Sequence, residues 1–351
     1  MRVKTGAGER MRTEIIQQPD AITATLAAGT DRIRALADQL RKEDICNVLL
    51  VARGTSDNAA MYGRYAFSII THKITTMMPP SLLTVYDVPF EFKKTFVLGI
   101  SQSGESVSVL EFLEMARKRG ALTCGLTNTM NSPIRNVADH LLVTYAREET
   151  SVPATKTYTT ALAVLHQLAT LWAGDLNRAR RIYDVHKWMQ AVLAHEGLVR
   201  QHAERYRYMN NCSVMGRGLS FASALETALK LAQCAQVVPS PYSGADFLHG
   251  LVAGIAPGFP CFVFAPNGKA MQSMAELLTT LQDRDAETFV VSNNPQLLHE
   301  ATIGIHIPDM PEELAPMVEV LVGQLLSLHL SLHKGIDPDA PRGVTKVTLT
   351  L

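Results

Sequence analysis

Two copies of one pattern run along the sequence, 164 positions apart. Ala52–Ser56 (ARGTS) corresponds to Gly216–Ser220 (GRGLS), and Phe96–Gly104 (FVLGISQSG) corresponds to Pro260–Gly268 (PCFVFAPNG). In each copy an apolar run ends in a glycine-containing loop, and a stretch with helical periodicity follows it. A chain of 351 residues is therefore expected to hold two related units, joined by a helical connector at about 161–208.

Apolar runs alternate with helical stretches in the first copy. The predicted strands are 47–54, 95–100 and 122–127, and the predicted helices are 20–39, 55–70 and 107–119. This alternation is typical of βαβ units, in which the strands form a parallel sheet. We therefore predict an α/β fold with two tandem copies of one unit.

The composition excludes several classes of partner. Lysine and arginine together number 33, as do aspartate and glutamate, so no basic excess points to nucleic acid or to an anionic membrane. The apolar segment 314–332 contains Glu319, Gln324 and His329, and is predicted to be a buried helix, not a membrane span. We expect neither a nucleic-acid nor a membrane partner.

The five cysteines form no CxxC pair and no cluster with histidine. This argues against a zinc site or a disulfide framework, so neither a metal nor a cofactor is predicted. The N-terminus has no apolar stretch typical of a secretory signal, and a cytoplasmic location is expected. Residues 1–13 are expected to form a leader, with either Met1 or Met11 as the true start.

The loop after the second predicted strand, SQSGES at 101–106, could bind an anion. A strand that ends in small hydroxylated residues and leads into a helix presents backbone N–H groups and hydroxyls to one point. The alternative is that these residues only cap the helix. Because the loop is neither a Walker loop nor a GxGxxG turn, a small phosphorylated metabolite is favoured over a nucleotide. The candidate ligand residues are Ser101, Gln102, Ser103 and Ser106, with Thr55 and Ser56 from the preceding loop.

Three further polar features are ambiguous from the residues alone. Glu226, Lys230 and Gln233 share one face of a predicted helix at 221–237, and their spacing by itself favours a solvated stripe. His249 lies in a small-residue loop, and a single histidine is more often structural than catalytic. Lys346 by itself is an ordinary lysine near the C-terminus.

Taken together, these motifs resemble the sugar isomerase (SIS) family, and in particular the isomerase half of glutamine–fructose-6-phosphate aminotransferases and the free-standing SIS-type aminosugar-phosphate deaminases and deglycases. The motifs that carry the resemblance are ARGTS at 52–56, ISQSGES at 100–106, SVPATKTYTT at 151–160, MGRG at 215–218, ALETALKLAQ at 224–233, His249-Gly250 and PRGVTK at 341–346.

The resemblance implies two SIS subdomains, each a five-stranded parallel sheet flanked by helices in a three-layer, flavodoxin-like sandwich. The implied subdomains are 14–195 and 196–335, followed by a tail at 336–351 that carries Lys346. It also implies a homodimer, in which His249 can be contributed across the interface.

The resemblance also implies roles for individual residues. Ser101, Gln102, Ser103 and Ser106 would contact the phosphate, whereas Thr55, Ser56 and the backbone from Val152 to Ala154 would contact the sugar. His249 would open the sugar ring, and Lys346 would form a Schiff base with the open-chain carbonyl. Glu226 and Lys230 would form a buried pair.

The sequence departs from the family pattern at one position. The glutamate that moves the proton between C1 and C2 is replaced by Gln233, and an amide cannot accept and return a proton. Loss of a general base typically costs about 10²–10⁴-fold in rate. We therefore expect another carboxylate, Glu226, to move the proton. No N-terminal nucleophilic cysteine precedes Glu14, so the chain is expected to lack a glutaminase domain of its own.

The predicted function is that of an enzyme acting on an open-chain (amino)sugar 6-phosphate, as a deaminase, deglycase or aldose–ketose isomerase. The alternative is a phosphosugar-binding sensor or regulatory protein without catalysis, which Gln233 favours. The residues do not distinguish these reactions, nor do they identify the sugar.

Overall fold

The computed structural model describes residues 6–343 and Lys346. These residues form two compact units, each of which is discontinuous in sequence. The first-sheet unit comprises 20–149, 156–184 and Lys346, and the second-sheet unit comprises 6–19, 150–155 and 185–343.

The first-sheet unit is built on a parallel sheet with the strand order β2-β1-β3-β4-β5. Its central strand is buried on both faces, which is why its sequence is a continuous apolar run and does not alternate. Asn47 pairs with Thr95, and Val51 with Gly99. The strands are β1 (Asn47–Val51), β2 (Ile74–Met77), β3 (Thr95–Ile100), β4 (Leu122–Thr127) and β5 (His140–Val143).

The second-sheet unit repeats this topology with the order β7-β6-β8-β9-β10. All the strand pairs of both sheets are parallel. The predicted fold, two tandem α/β units with five-stranded parallel sheets, is confirmed. The strands are β6 (Asn211–Gly216), β7 (Val238–Ser243), β8 (Pro260–Phe264), β9 (Glu287–Ser292) and β10 (Ile303–His306).

Helices flank both sheets. Those of the first-sheet unit are α2 (Gln18–Lys42), α3 (Thr55–Thr71), α4 (Ser81–Thr84), α5 (Val107–Lys118), α6 (Ile134–Val137), α7 (Lys156–Ala173) and α8 (Leu176–Arg181). Those of the second-sheet unit are α1 (Glu9–Ile16), α9 (Val185–Leu193), α10 (Glu196–Ala203), α11 (Phe221–Ala235), α12 (Gly244–Leu248), α13 (Met271–Gln282), α14 (Pro295–Glu300) and α15 (Ala315–His333).

One long helix is buried almost completely in each unit. In the first-sheet unit α7 packs against α3, and in the second-sheet unit α15 packs against α11. Residues 312–333 are apolar and long enough to cross a membrane, but their most apolar stretch is entirely buried within the protein. The predicted buried helix at 314–332 is confirmed.

The N-terminal segment differs from the expected leader. Residues 9–13 form the first turns of α1, and Met11 is 0% exposed. Asp339 accepts hydrogen bonds from the backbone N–H groups of Arg10 (2.9 Å) and Met11 (2.9 Å), and thereby caps the start of this helix. Residues 1–5, 344–345 and 347–351, which complete the predicted leader and tail, lie outside the described residues.

Candidate functional site

The first sheet has its topological switch point between β1 and β3. From β1 the chain turns to β2 on one side, whereas β3 lies on the other. Ligands of open parallel sheets bind at this point, beyond the carboxyl ends of the strands. Thr55 and Ser56, in the first turn of α3, follow β1, and the 101–106 loop follows β3. Arg53 donates to Ser108 (3.4 Å) and so connects the segment after β1 with α5, the helix that follows the 101–106 loop.

The 101–106 loop is folded by its own backbone. The N–H of Gly104 donates to the carbonyl of Ser101 (3.0 Å), and the N–H of Ser106 donates to Ser101 Oγ (3.4 Å). The N–H of Glu105 donates to Ser103 Oγ (3.2 Å). Since both serine oxygens act as acceptors here, their O–H groups remain able to donate to an anion.

The helix-capping interpretation does not hold for Ser106. This residue immediately precedes α5 and has extended backbone angles, but its side chain makes no capping hydrogen bond. The residue is half-buried and lies at the positive end of a helix of 12 residues. This is the arrangement in which a hydroxyl and a helix dipole together favour an anion.

Gly104 is required by the loop geometry. Its φ is +71°, in the left-handed region that side chains other than glycine rarely adopt. A Cβ at this position would also collide with the side chain of Ser132. The glycine therefore allows the loop to turn and to pack closely against its neighbour.

A buried carboxylate that the sequence analysis missed, Glu149, joins several predicted elements. Its side chain is 0% exposed. Its Oε2 accepts from Lys346 Nζ (2.9 Å), Gln102 Nε2 (3.1 Å) and Thr157 Oγ1 (2.7 Å), and its Oε1 accepts from the N–H of Thr157 (3.1 Å). The structure thus brings together Lys346 and the 101–106 loop, which are far apart in sequence.

The backbone before Glu149 is held in an uncommon conformation. Tyr145 and Arg147 have φ values of +47° and +58°, which cost about 1 kcal/mol or more each. The side chain of Asn128 holds this segment, because it accepts from the N–H of Ala146 (2.9 Å) and donates to the carbonyl of Arg147 (2.7 Å). Local strain is therefore maintained at the segment that leads to Glu149.

Thr127, the last residue of β4, and Asn128, which follows it, also hold the 101–106 loop. The carbonyl of Gln102 accepts from Thr127 Oγ1 (3.0 Å) and from the N–H of Asn128 (2.9 Å). Thr127 and Asn128 therefore fix both the backbone of Gln102 and the segment that carries Glu149.

The second-sheet unit contains the predicted helix face on α11. Glu226 and Lys230 are both 0% exposed, and Lys230 Nζ lies 2.7 Å from Glu226 Oε1. Lys230 also donates to Gln233 Oε1 (3.2 Å). The interpretation of this face as a solvated stripe is wrong, because α15 covers α11 and removes the pair from water.

The remaining predicted residues also lie in the second-sheet unit. His249 is exposed at the end of α12, and within the part of the chain that the structure describes its imidazole makes no hydrogen bond. Val152 and Ala154 are half-buried in the 150–155 segment. Glu14 of α1 holds this segment, because its carboxylate accepts from the N–H groups of Thr150 and Ser151.

In the second-sheet unit, the chain's own carboxylate occupies the anion position of the corresponding loop. The N–H groups of Lys269 and Ala270 donate to Glu312 at 2.8 and 3.3 Å. A Cβ at Gly268 would collide with this carboxylate. In this repeat the position of an external anion is therefore already filled from within the protein.

Comparison with known proteins identifies the family. The SIS domain profile matches residues 39–171 and 208–334, one region in each repeat. The chain belongs to the SIS domain family. Among residues 6–343 and 346, no group of three or more His, Cys, Asp or Glu side chains is placed to hold a metal ion.

Curated relatives are longer than this chain. A glutamine–fructose-6-phosphate aminotransferase (isomerizing) of Thermococcus kodakarensis is 32% identical over 360 residues, which cover 99% of this chain but 59% of that protein. The SIS-family chain thus spans about three fifths of the curated relatives that it matches.

Solved structures share the fold. The C-terminal domain of glucosamine-fructose-6-phosphate aminotransferase from Francisella tularensis superposes with a TM-score of 0.88 at 24% identity, and the match covers 97% of this chain and 100% of that one. Tagatose-6-phosphate ketose/aldose isomerase from Escherichia coli superposes with a TM-score of 0.83 at 19% identity, with 99% of both chains covered. At these identities the likeness concerns the architecture.

Proposed function

We propose that this SIS-family chain is an enzyme that acts on the open-chain form of an (amino)sugar 6-phosphate, as a deaminase, a deglycase or an aldose–ketose isomerase. The observation that carries the proposal is the contact of Glu149 with both Lys346 and Gln102. This contact brings a primary amine, able to form an imine with a carbonyl, to a hydroxyl-lined loop suited to a phosphate.

Each predicted residue has a place in this proposal. Ser101, Ser103 and Ser106 donate hydroxyls to the phosphate, and Gln102 donates an amide N–H. Thr55, Ser56 and the backbone of 152–154 contact the sugar. His249 transfers the proton that opens the ring, and its exposure at the end of α12 supports that role.

Lys346 forms the imine. Its Nζ attacks the carbonyl carbon, water leaves, and the resulting C=N bond acidifies the hydrogen on the neighbouring carbon. A carboxylate must then move this proton. Residue 233 cannot do so, because it is a glutamine and its side chain is an amide. Glu226, on the same helix face, is the candidate, although its burial and its ion pair with Lys230 also suit a structural role.

The test is to incubate the protein with glucosamine 6-phosphate and to follow ammonia and fructose 6-phosphate. We expect both products from the wild-type chain and neither from Lys346→Met. Glu226→Gln should be inactive if Glu226 moves the proton. An inactive wild-type chain that gains turnover on Gln233→Glu would show that Glu226 is not the base.

The second candidate function is a phosphosugar sensor without catalysis, and Gln233 is the observation that favours it. A ligand that binds only the folded protein raises its stability by RT ln(1 + [L]/Kd). Stabilisation by glucosamine 6-phosphate in a melting experiment, with no ammonia formed by the wild-type protein or by Gln233→Glu, would support the sensor.

The proposal includes a homodimer and a cytoplasmic location. In the dimer, His249 would complete the site of the partner subunit, which accords with its exposed position and with an imidazole that makes no hydrogen bond within residues 6–343 and 346. The location accords with free cysteines at all five positions.

A further inference from the structure

Glu149 has an equivalent in the second repeat. It follows Val143, the last residue of β5, by six positions, and Glu312 follows His306, the last residue of β10, by six positions. Both carboxylates contact the loop that follows the central strand of their own sheet. The two glutamates thus occupy the same place in the duplicated fold.

The two carboxylates use this place differently. Glu312 accepts backbone N–H groups of its loop and so occupies the position of an anion. Glu149 instead accepts the side-chain amide of Gln102, the hydroxyl and N–H of Thr157, and the amine of Lys346. The contacts that the structure describes for Glu149 in the first repeat are thus to side chains and to Thr157 of α7, and not to backbone N–H groups of the 101–106 loop.

We propose that Glu149 is a positioning residue, which holds the amine of Lys346 in a fixed relation to the phosphate-binding loop. Lys346 Nζ and Gln102 Nε2 contact the same oxygen, Oε2, so the two nitrogens lie within two hydrogen-bond lengths of each other. This inference rests on the proposed function, since it assigns Lys346 to the carbonyl end of the substrate and Gln102 to its phosphate end.

The geometry assigns Glu149 to positioning and not to proton transfer. The carboxylate is bonded at both oxygens, one of them to a backbone N–H that cannot move independently of α7. Bonds of this kind leave the carboxylate little freedom to approach a substrate carbon. Glu149 instead fixes the direction of the Lys346 side chain. That side chain is 24% exposed.

The experiment compares Glu149→Gln with Glu148→Gln, the same substitution at the exposed neighbouring residue. The first readout is imine formation: the protein is mixed with fructose 6-phosphate and borohydride, which delivers hydride to the C=N carbon, and adducts at Lys346 are counted by mass spectrometry. The second readout is the affinity for glucitol 6-phosphate, which has the phosphate but no carbonyl.

Misplacement of a reacting group by about 1 Å can cost about 10²-fold in rate. We therefore expect Glu149→Gln to lower the trapping rate and kcat about 10²-fold, with the Kd for glucitol 6-phosphate changed less than about threefold. Glu148→Gln should match the wild type in each readout. Trapping at the wild-type rate in Glu149→Gln, or a loss of glucitol 6-phosphate affinity as large as the loss of trapping, would overturn the proposal.

A third readout separates this inference from the proposed function. Lys346 is acetylated with a limiting amount of acetic anhydride in the absence of sugar, and the extent of labelling is measured by mass spectrometry. If Glu149 holds the amine, labelling of Lys346 should rise several-fold in Glu149→Gln and not in Glu148→Gln. Increased labelling supports the positioning of Lys346 by Glu149 even if the wild type forms no imine. A failure to form the imine would refute the enzymatic function alone. Unchanged labelling refutes the positioning.

A second variant covers the case in which Glu149→Gln does not fold. Gln102→Met removes one donor to Glu149 without touching Lys346. Because both side chains share Oε2, this variant should also change the acetylation of Lys346. The absence of any change in a folded Gln102→Met protein would contradict the proposed connection.

Discussion

At the scale of single residues, the hydroxyl of Ser106 has no structural use in the described part of the chain. It neither caps α5 nor supports the loop, and the turn is held by Ser101 and Ser103. A side chain that the fold does not need, placed at a helix N-terminus beside a switch point, is available to a ligand.

Ser106→Ala is predicted to weaken phosphosugar binding with little effect on stability. A hydrogen bond to a charged group contributes about 1.5–3 kcal/mol, so the Kd for glucitol 6-phosphate should rise about tenfold or more. Isothermal titration calorimetry measures the affinity, and the melting temperature measures the stability. Ser68→Ala, a half-buried serine on α3, is the control, and an equal change in both variants would contradict the role of Ser106.

Gly104→Ala should lower the free energy of unfolding through two separable effects. One is the left-handed backbone, about 1–2 kcal/mol, and the other is the collision with Ser132. Gly174→Ala isolates the first effect, because Gly174 has a φ of +75° and open space around it. Urea unfolding should show a larger loss for Gly104→Ala, and Ser132→Gly should recover part of the difference. Equal losses in the two alanine variants would show that the packing of the loop is not limiting.

Some residues of the site could be predicted from the sequence and others could not. The SQSGES loop is recognisable because strand, small hydroxylated residues and helix are contiguous. Glu149 was missed because the surrounding segment, Arg147-Glu148-Glu149-Thr150, reads as an ordinary acidic loop. Its burial depends on α7 and on the strained turn held by Asn128, which local composition does not encode. The repeat could have revealed it, through its equivalence with Glu312.

At the scale of secondary structure, central elements were predictable and edge elements were not. β1, β3 and β4 are apolar runs in the sequence, whereas the edge strand β2 has four residues and alternates between buried and exposed. Periodicity also located α11 but could not establish that α15 covers its polar face, because that contact joins segments about ninety residues apart in the sequence.

The interface between α11 and α15 contains a titratable group. Glu319 of α15 is 0% exposed and accepts a hydrogen bond from Ser223 of α11 (2.7 Å). Burial raises the pKa of Glu319 to about 7 from 4.5, and hydrogen bonds from Ser223 and Ser220 offset only part of that effect. Between these values the folded protein holds a proton that the unfolded chain has released.

This difference gives a pH dependence of stability with a definite sign. The contribution of Glu319 is fully present below pH 4.5 and is lost as pH rises towards 7, by about 3 kcal/mol. Glu319→Gln removes the dependence, so on going from pH 5 to pH 8 the melting temperature of the variant should rise relative to that of the wild type. Glu276→Gln, at an exposed glutamate of α13, should not show this change. A constant difference between variant and wild type would contradict the prediction for Glu319.

At the scale of the whole molecule, the repeat predicted most of the architecture. The two sheets have the same strand order, and the predicted counterparts of β1 and β3 are β6 and β8. The boundaries of the two units were harder to predict from the sequence. Residues 6–19 and 150–155 belong to the second-sheet unit, although in the sequence they precede or interrupt the first-sheet unit. Contacts such as those of Glu14 with Thr150 and Ser151 join segments that no linear division of the chain would group.

The proposed dimer is tested by mixing two inactive variants. His249→Asn and Lys346→Met should each abolish turnover. If His249 completes the site of the partner subunit, random exchange makes half of the dimers mixed, each with one intact site, and about a quarter of the wild-type activity returns. If His249 acts within its own chain, the mixture stays inactive. Size-exclusion chromatography of each variant confirms that the dimer itself is retained.

The carboxylate of Glu312 orders the loop that follows the central strand of the second sheet. The corresponding loop of the first sheet is ordered in a different way. The loop at 265–270 has a counter-charge from within the protein, whereas the counter-charge proposed for the backbone N–H groups of the loop at 101–106 is the phosphate of a bound metabolite. Slow amide exchange at Lys269 and Ala270 should therefore be independent of metabolite supply, while protection of the first loop rises and falls with it. Under the proposed function, the loop of the second repeat is therefore ordered at all times, and the order of the loop at 101–106 depends on how much substrate is bound.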